Sequence, residues 1–344
     1  MHTCMHANKA TTHNPLEVLN KDELWSCTTC AACTYSCPVS VRHLEIIMDL
    51  RRTMAELGEI DKNKTAVFQS VSRVGNAMSV SNINRHKWLT DLGVESVDQN
   101  QNYKYLLWVG CLSSFDERLR KPLEAFVSVL KNVGKLSEIA ILGDAETCCG
   151  DPVRKLGEEG LFQEIVLRNI ELFEKYEVNS ILTTCPHCYN TFKNDYPDFS
   201  MRNVEVIHHT EFLSKLFENG VLDLKTVSGM FVIHDPCYLT RYNGLTDMLK
   251  NLTDKIGGGR RPKHHGEGTF CCGGGGGNYW YEVSEKKRIS HERVEQLLEL
   301  KTKNIVTFCP YCDGMLYDAI QTKEVTGVEV LDIAEIIASD ASIR

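Results

Sequence analysis

Two stretches of the chain place adjacent cysteines directly before a glycine. They read ETCCGDPVRK, residues 146–155, and FCCGGGGGNY, residues 270–279. The chain has 15 cysteines among 344 residues, an odd number that excludes complete pairing into disulfides. The first residues lack the apolar core of a secretory signal, and clustered cysteines in a reducing compartment bind metal or do redox chemistry more often than they form disulfides. We therefore expect these thiols to bind metal in the cytoplasm.

The ten cysteines beyond residue 100 form two sets of five in the same order. The spacing is C-x36-CC-x35-C-x2-C in the first set and C-x33-CC-x36-C-x2-C in the second. Equivalent cysteines are 123 to 126 residues apart, and ILTTCPHC in the first half matches IVTFCPYC in the second. A period of this length is typical of a duplicated domain rather than a solenoid. The two sets are Cys111, Cys148, Cys149, Cys185 and Cys188, and Cys237, Cys271, Cys272, Cys309 and Cys312.

The spacing alone leaves two simpler roles open for these ten cysteines. The C-x2-C pairs of both halves could share one zinc ion, which would leave the CCG sets without a role. Disulfides between the adjacent cysteines at 148–149 and 271–272 would be strained and poorly suited to a reducing compartment. Both alternatives explain fewer of the cysteines than a metal cluster does.

Four further cysteines near the start of the chain form a compact motif. The stretch CTTCAACTYSCP, residues 27–38, has the spacing C-x2-C-x2-C-x3-C-P that is typical of a bacterial ferredoxin [4Fe–4S] site. Zinc motifs seldom place four cysteines within eleven residues. The motif predicts a cluster held by Cys27, Cys30, Cys33 and Cys37. In two-cluster ferredoxins the fourth cysteine serves the other cluster, so Cys4 is an alternative fourth ligand.

Short strands and amphipathic helices alternate in each half and would position the ten thiols. Residues 106–109, 139–142, 181–183 and 204–207 are short apolar runs bounded by turn residues, which predicts strands. Helical spacing of apolar residues predicts helices around 119–130 and 162–173. This alternation predicts two α/β domains with mainly parallel sheets. The loops after the strands carry the cysteines, so the thiols should gather at one sheet edge.

Composition and length set the domain organisation. We predict a small, mostly helical module over residues 1–100, with a helix near 44–57, followed by duplicated domains at 101–222 and 223–344. Hydrophobic residues make up 42% and charged residues 24%, as in globular proteins. The net charge of −8 without a basic stripe argues against a nucleic-acid partner. No apolar run approaches bilayer length, so any membrane association would be peripheral, on the cytoplasmic face and through a partner.

The stretch from about residue 105 to 335 resembles the cysteine-rich CCG-domain proteins, which include the B and D subunits of heterodisulfide reductase. All ten cysteines fall in the family pattern, and both C-x2-C pairs read C-P-[HY]-C. With the four-cysteine motif in front, the order of modules is similar to the D-type subunit. The strings WVGCLSSFD, GDPVRKLG and HDPCYLTRYNG also look like longer Fe–S oxidoreductases linked to electron-transfer flavoproteins, quinones or sulfite reduction.

The resemblance implies a cofactor and a reaction. In the family, each complete set of five cysteines holds a noncubane [4Fe–4S] cluster in which one thiolate bridges irons. The ten cysteines are therefore expected to be catalytic ligands, with electrons arriving from the ferredoxin-type cluster. A small or protein disulfide would lodge between the two noncubane clusters and be cleaved, or be formed in the reverse reaction. The complete first CCG set favours this interpretation, because many longer relatives lack one cysteine there.

A second interpretation is an electron relay without a disulfide substrate of its own. The chain has no FAD or NAD fingerprint, so a flavin would belong to a partner. The expected partners are a flavoprotein, a further Fe–S protein or a quinone-reactive subunit in the membrane. Longer and D-type relatives usually carry two ferredoxin motifs and often a membrane portion, whereas this sequence has one motif. The sequence is thus that of a short subunit or of a fragment, and it does not identify the substrate or the electron donor.

Glycines beside the cysteines are predicted to contact the clusters. Gly150, Gly273 and Gly274 have no side chain and tolerate positive φ, so their backbone N–H groups could point at sulfide. The phosphate-loop alternative is weak because no Lys-Ser/Thr pair follows the run at 273–277. A flexible surface loop is the simpler alternative for that run.

Several histidines and cations complete the candidate residues. His187 and His234 lie near cysteines and could tune a cluster or protonate a departing thiolate, or be ordinary core groups. Nearby cations could hold an anionic substrate or offset cluster charge, or be solvated. These cations are Arg154, Lys155 and Arg241. The remaining paired histidines are expected at the surface, namely His208, His209, His264 and His265.

Overall fold

The computed structural model describes residues 21–223, 229–281 and 288–339, so Cys4 lies outside the described part of the chain. Within these ranges two parallel sheets of four strands each form the centre of the molecule. The first contains β1 (Tyr105–Trp108), β2 (Ile139–Ala140), β3 (Ser180–Thr183) and β4 (Glu205–His208). The second contains β5 (Phe231–Ile233), β6 (Gly259–Arg260), β7 (Asn304–Thr307) and β8 (Glu329–Asp332).

Both sheets have the same strand order and the same register. The orders are β2-β1-β3-β4 and β6-β5-β7-β8, with every pair parallel. Leu106 pairs with Ile181 in the first sheet, as Val232 pairs with Ile305 in the second. The predicted duplication of an α/β domain is therefore confirmed. The domain limits near residues 100 and 222 stay a prediction.

Helices cover the sheets and link their strands. The predicted amphipathic segment at 119–130 lies in a helix that begins after Asp116, whose side chain accepts bonds from the N–H groups of Arg118 and Leu119. The described helices are α1 (Lys21–Ser26), α2 (Ala32–Tyr35), α3 (His43–Glu56), α4 (Lys62–Val74), α5 (Lys87–Asp91), α6 (Cys111–Phe115), α7 (Glu117–Asn132), α8 (Asp151–Lys155), α9 (Glu159–Lys175), α10 (Pro186–Asn190), α11 (His209–Glu218), α12 (Cys237–Thr240), α13 (Thr246–Ile256), α14 (Ile289–Leu298), α15 (Pro310–Thr322) and α16 (Ile333–Ala338). Single turns of 3₁₀-helix and a π-helical turn at Thr191–Asp195 complete the regular structure.

The N-terminal part is helical, as predicted, but it is not separate in its packing. Leu24, Trp25 and Met54 are buried in the same apolar core as Trp108 and Phe162. The end of this part also adds to the first sheet. Val97 donates to the Ile141 carbonyl at 3.0 Å, and Ile141 donates to the Glu95 carbonyl at 3.1 Å. The N-terminal part thus shares a core with the first duplicated domain.

The expectation that His208 and His209 lie at the surface is wrong. Both are completely buried, because His208 ends β4 and His209 begins α11 where the two domains meet. The His209 Nε2 atom lies 2.9 Å from the Asp332 carboxylate of the second domain. His264 and His265 are exposed, as expected. None of the helices in the described ranges has the length and apolar character needed to span a bilayer.

Candidate metal centre

The ends of the central strands position the thiols of both sets. β1 ends at Trp108, Gly110 turns the chain with a φ of 78°, and Cys111 begins α6. In the same sheet, Cys185 follows β3 and precedes the first turn of α10. Cys237 and Cys309 repeat these two positions after β5 and β7. The carboxyl edge of each sheet therefore gathers its cysteines, as the sequence predicts.

The five thiols of the first set form one continuous group. Cys148 interacts with Cys111 and Cys149 through its thiol, and Cys188 interacts with Cys149 and Cys185. All five line a single small cavity that Pro310 and Tyr311 of the second domain help to enclose. The backbone N–H of Gly150 donates to the Cys148 sulfur at 3.3 Å.

The second set has the same order of thiol neighbours. Cys271 interacts with Cys237 and Cys272, and Cys312 interacts with Cys272 and Cys309. The N–H of Gly273 donates to the Cys271 sulfur at 3.3 Å, and the N–H of Gly274 contacts the Cys272 sulfur. Cys30 of the four-cysteine motif also contacts the Cys271 thiol. Among the described residues, no thiol of that motif acts strongly on the equivalent Cys148.

The chemistry of these donors fits an iron–sulfur cluster in each set. Every cysteine in the described part of the chain is a free thiol, which disfavours the vicinal disulfides. Contact with Cys148, together with burial, raises the pKa of Cys111, whereas contacts with Cys271 and Cys312 lower the pKa of Cys272 despite its burial. Buried thiols that share protons and accept N–H bonds suit a soft, sulfur-binding metal group. Their role as ligands stays a prediction.

The four-cysteine motif lies against the second domain. Cys27 has Cys30 and Cys33 as electrostatic neighbours, and burial is the main cause that raises its pKa. The Cys37 sulfur accepts a bond from the Val41 N–H at 3.3 Å. Because Cys4 is outside the described residues, the choice between Cys37 and Cys4 as the fourth ligand stays open.

A buried ion pair supports the loop before the first set. Arg85 and Glu146 are both fully enclosed, and a guanidinium nitrogen lies 3.0 Å from the carboxylate. Glu146 also accepts bonds from the N–H groups of Val109 and Gly110 at 3.0 and 2.9 Å. These are the two residues before Cys111, so the pair fixes where that thiol begins α6.

An aromatic stack fills the seam between the two sets. His187 lies between Tyr238 and Tyr311, with ring centroids 4.1 Å away on both sides. Its Nδ1 atom is 2.9 Å from the Asp151 carboxylate. Burial lowers the pKa of His187, but the charge and hydrogen bond of Asp151, together with the nearby Cys309 and Cys185, raise that pKa to about 9. His187 and Tyr311 occupy equivalent positions in the two C-P-[HY]-C motifs, so the stack brings the two motifs together.

The second set has a different polar environment. His234 places a ring nitrogen within 4.8 Å of the sulfurs of Cys272 and Cys312. Arg293 is buried and donates from Nε to the His234 Nδ1 atom at 2.9 Å. Burial and then the Arg293 charge hold the pKa of His234 well below its usual value, so the ring is neutral. The first domain has Trp108 at the position equivalent to His234.

The glycine run is a buried packing surface rather than a flexible loop. Gly273 to Gly277 are all buried. A Cβ atom at Gly275 or Gly276 would overlap backbone atoms of Thr28 or Cys27. The glycines therefore let the four-cysteine motif approach the second domain closely.

The three candidate cations are not solvated surface groups. Arg154 pairs with Asp195 at 3.2 Å, and Lys155 is buried with its amine 6.0 Å from the Tyr238 ring centroid. Arg241 donates to the carbonyls of Cys30, Glu267 and Thr269. Arg241 thus holds backbone of both the motif and its own domain.

Several site residues have weak or no sequence signals. Glu146, Asp151, Tyr238 and Tyr311 each lie within two residues of a cysteine, and that adjacency is a usable signal. Arg51 is spaced like a surface residue of a helix, yet it is buried and bonds carbonyls from three parts of the chain. Nothing local in the sequence indicates such a contact.

A cleft opens beside the second set at the junction with the N-terminal part. It has a volume of about 460 Å³ and reaches Gly273, next to Cys272, and Ser26, next to Cys27. Its walls are mainly Tyr279, Trp280 and Met315, and the Arg288–Asp318 ion pair lies at its border. A cleft of this size can admit a small molecule.

Two tandem parallel α/β domains with five gathered thiols each define a cysteine-rich redox protein. The family model of the CCG cysteine-rich domain matches residues 105–193 and 231–317. The chain therefore belongs to the CCG cysteine-rich domain family, in an iron–sulfur oxidoreductase branch that includes heterodisulfide reductase D-like proteins.

Three relatives give the range of this branch. The chain is 37% identical over 334 residues to the probable iron-sulfur-binding oxidoreductase FadF of Bacillus subtilis, with 94% of this chain and 47% of FadF covered. It is 35% identical to the EtfAB:quinone oxidoreductase of Syntrophomonas wolfei, with 94% and 48% covered. It is 25% identical to the D subunit of the dihydromethanophenazine:CoB–CoM heterodisulfide reductase of Methanosarcina barkeri, with 92% and 78% covered. The chain spans about half the length of the first two.

Proposed function

We propose that this chain is the iron–sulfur part of a larger oxidoreductase, where it relays electrons between a flavoprotein partner and a quinone-linked partner. A ferredoxin-type [4Fe–4S] cluster would be held by Cys27, Cys30 and Cys33, with Cys37 or Cys4 as fourth ligand. Each five-cysteine set would hold one noncubane [4Fe–4S] cluster. When bound, such clusters accept and release single electrons.

The aromatic stack in the seam carries the preference for a relay. The His187 ring contacts Tyr238 on one face and Tyr311 on the other, at the separation of stacked rings. The His187–Asp151 hydrogen bond and the packing of Tyr311 over the first set fix this arrangement. A disulfide lodged between the two sets would have to displace these rings. Closely packed buried rings instead keep the two sets near each other and exclude water.

The relatives support the same proposal. One carries quinone and EtfAB, the two subunits of an electron-transfer flavoprotein, in its name, and FadF is named as an iron–sulfur-binding oxidoreductase. Both align with nearly the whole chain, and this chain corresponds to about half of each. The remaining steps of such a reaction would belong to the rest of a longer protein or to partners.

Disulfide chemistry is the second candidate function, and two observations favour it. Both five-cysteine sets are complete, and a relay alone does not need two. The cleft beside Gly273 also offers a small thiol or disulfide a route to the second set. The 25% identity to a heterodisulfide reductase subunit is consistent with this candidate.

Anaerobic purification with metal and sulfide analysis tests the shared part of both candidates. Three clusters predict about 12 iron and as many sulfides per chain, and zinc in place of iron would overturn both. A reduced electron-transfer flavoprotein should then reduce the clusters, seen as new paramagnetic signals. Thiols added to the oxidised protein distinguish the candidates. An unchanged paramagnetic spectrum supports the relay, whereas a thiol-dependent signal supports disulfide chemistry.

A further inference from the structure

Several side chains of the second domain bond the loop of the four-cysteine motif. The Tyr242 hydroxyl donates to the Thr29 carbonyl at 2.5 Å, and the Tyr238 hydroxyl lies 3.0 Å from the Thr29 hydroxyl. Arg241 donates from Nε to the Cys30 carbonyl at 2.6 Å. Three side chains of α12 and the turn after it, Tyr238, Arg241 and Tyr242, therefore hold two consecutive residues of the motif.

The glycine run closes the same contact from the other side. Gly275 and Gly276 lie directly against the backbone of Thr28 and Cys27, where no side chain would fit. The Asn278 amide donates to the Ser26 carbonyl at 3.1 Å. The motif is thus enclosed between α12 and the glycine run, and both belong to the second domain.

The equivalent positions of the first domain cannot make this contact. Leu112, Phe115 and Asp116 stand where the second domain has Tyr238, Arg241 and Tyr242. None of the three can supply the phenol or guanidinium donors that hold Thr29 and Cys30. The sequence of the second domain therefore supplies the bonds to the motif that the first domain cannot make.

Cys30 also links the motif to the second set through its thiol. It packs against the buried group formed by Cys237, Tyr238 and Cys271. Cys271 in turn has Cys237 and Cys272 as thiol neighbours within its own set. The thiols that act most strongly on the equivalent Cys148 are Cys111 and Cys149, both of the first set.

We propose that the two sets are connected in series, with the second set as the inlet from the four-cysteine motif and the first set reached only through the second. Arg241 is the positioning residue, because it fixes Cys30 against Cys271 and is itself held by two carbonyls of its own domain. This inference rests on the proposed iron–sulfur function. It adds the order in which electrons reach the two sets, and it assigns unequal roles to two domains that share a fold.

Matched cysteine variants of the full chain test the order. Paramagnetic centres in contact split each other's resonance signals, so the reduced N-terminal centre should show a split signal in the wild-type protein. Cys271→Ser should abolish the splitting, and the equivalent Cys148→Ser should leave it intact. Splitting that survives Cys271→Ser, or that is lost in Cys148→Ser, overturns the proposal.

A variant that keeps all cysteines provides a second measurement. Arg241→Gln should weaken the splitting while iron and sulfide contents stay at the wild-type level. Arg261→Gln is the control, because Arg261 pairs with Asp254 in the same domain and does not contact the motif. Equal splitting in the two variants overturns the role of Arg241. Wild-type protein without iron overturns the proposed function itself, whereas wild-type protein with full iron content and an unsplit signal overturns only the order.

Discussion

The two duplicated domains agree in their thiols and differ in nearly everything around them. Both sets have the same sequence of thiol neighbours, from the cysteine after the first strand to the C-x2-C pair. The first set is flanked by two buried carboxylates, Glu146 and Asp151. At the equivalent positions the second set has Thr269 and Gly274, and the buried charged residues beside it are Arg293, Asp235 and Asp313.

The difference shows which parts of the duplicated domain were free to change. The ends of parallel strands fix the cysteines, so the fold itself preserves the ligand geometry. The residues that pack around the cysteines of each set are not fixed in this way. Trp108 and His234 illustrate this freedom, because they occupy equivalent positions with opposite polarity. Negative charge near a metal group lowers its reduction potential and positive charge raises it, so clusters held by the two sets would differ in reduction potential.

The buried cations of the two domains should differ most in their effect on stability. Arg85→Met leaves the Glu146 carboxylate buried without a counter-charge, and we expect it to lower the free energy of unfolding by about 3–5 kcal/mol. Arg293→Met removes a donor to the neutral His234, while the buried Asp235 that faces Arg293 keeps its bond from the Gly266 N–H, so we expect a smaller loss of about 1–3 kcal/mol. Chemical denaturation of the anaerobically purified variants measures both.

A double variant makes this comparison sharper. Arg85→Met with Glu146→Gln removes the unpaired charge and should recover part of the lost stability. Equal losses in Arg85→Met and Arg293→Met, or no recovery in the double variant, would contradict the view that the first domain depends on a buried ion pair.

The four-cysteine motif lies so close to the glycine run that one added methyl group there should lower the stability of the protein. Gly275→Ala places a Cβ against the Thr28 backbone, and we expect a loss of about 1–3 kcal/mol because neither backbone segment can easily move. Gly268→Ala in the same domain is the control, since its Cβ would meet no atom within 4 Å. Thermal unfolding followed by circular dichroism compares the two. Equal midpoints would show that the glycine run is not a packing surface.

The capping box of α16 predicts a pH dependence for the second domain. Asp332 begins α16, where the equivalent residue in the first domain is His208, and its N–H donates to Glu335 at 2.8 Å. Burial and the Asp332 charge raise the pKa of Glu335 to about 7, above its usual value of 4.5. The folded chain thus binds more protons at Glu335 between these pH values, and stability should fall by about 1–2 kcal/mol as the pH rises through them.

The variant Glu335→Gln tests this dependence. It should remove the part of the pH slope between about pH 5 and 7 that comes from Glu335, and denaturation at several pH values measures that slope. An unchanged slope would mean that the Asp332–Glu335 pair does not titrate in this range.

The smallest effect concerns the phenol of Tyr238. Tyr238→Phe keeps the stack on His187 but removes the hydroxyl that lies 3.0 Å from the Thr29 hydroxyl. We expect a loss of about 1 kcal/mol. A Tyr238→Phe protein as stable as the wild type would show that this hydroxyl of α12 does not contribute to docking of the motif.

The sequence predicts the fold and the gathering of thiols because both follow from local patterns. Short apolar runs gave strands at nearly the observed limits, and the cysteines directly after them had to meet at one edge. The contacts of Arg51 and Arg85 could not be predicted in this way. They join residues as far apart as 225 positions, and neither arginine differs locally from a surface cation.

One expectation failed because it judged polarity without context. His208 and His209 are polar and adjacent, which favours a surface position, but they lie where α11 meets the second domain. The glycine run could have been a flexible loop by composition alone. Its burial depends on the motif that packs against it from more than 240 residues earlier in the chain.

The long reach of Arg51 has a consequence for synthesis of the protein. Its guanidinium bonds the Cys27 carbonyl at 2.7 Å and also the Gly276 carbonyl at 2.9 Å, a residue that the ribosome adds much later. Translation proceeds at roughly 5–20 residues per second, so many seconds pass between synthesis of the motif and synthesis of the glycine run that packs over it. During that interval they are open to oxidants and to iron-delivery proteins alike.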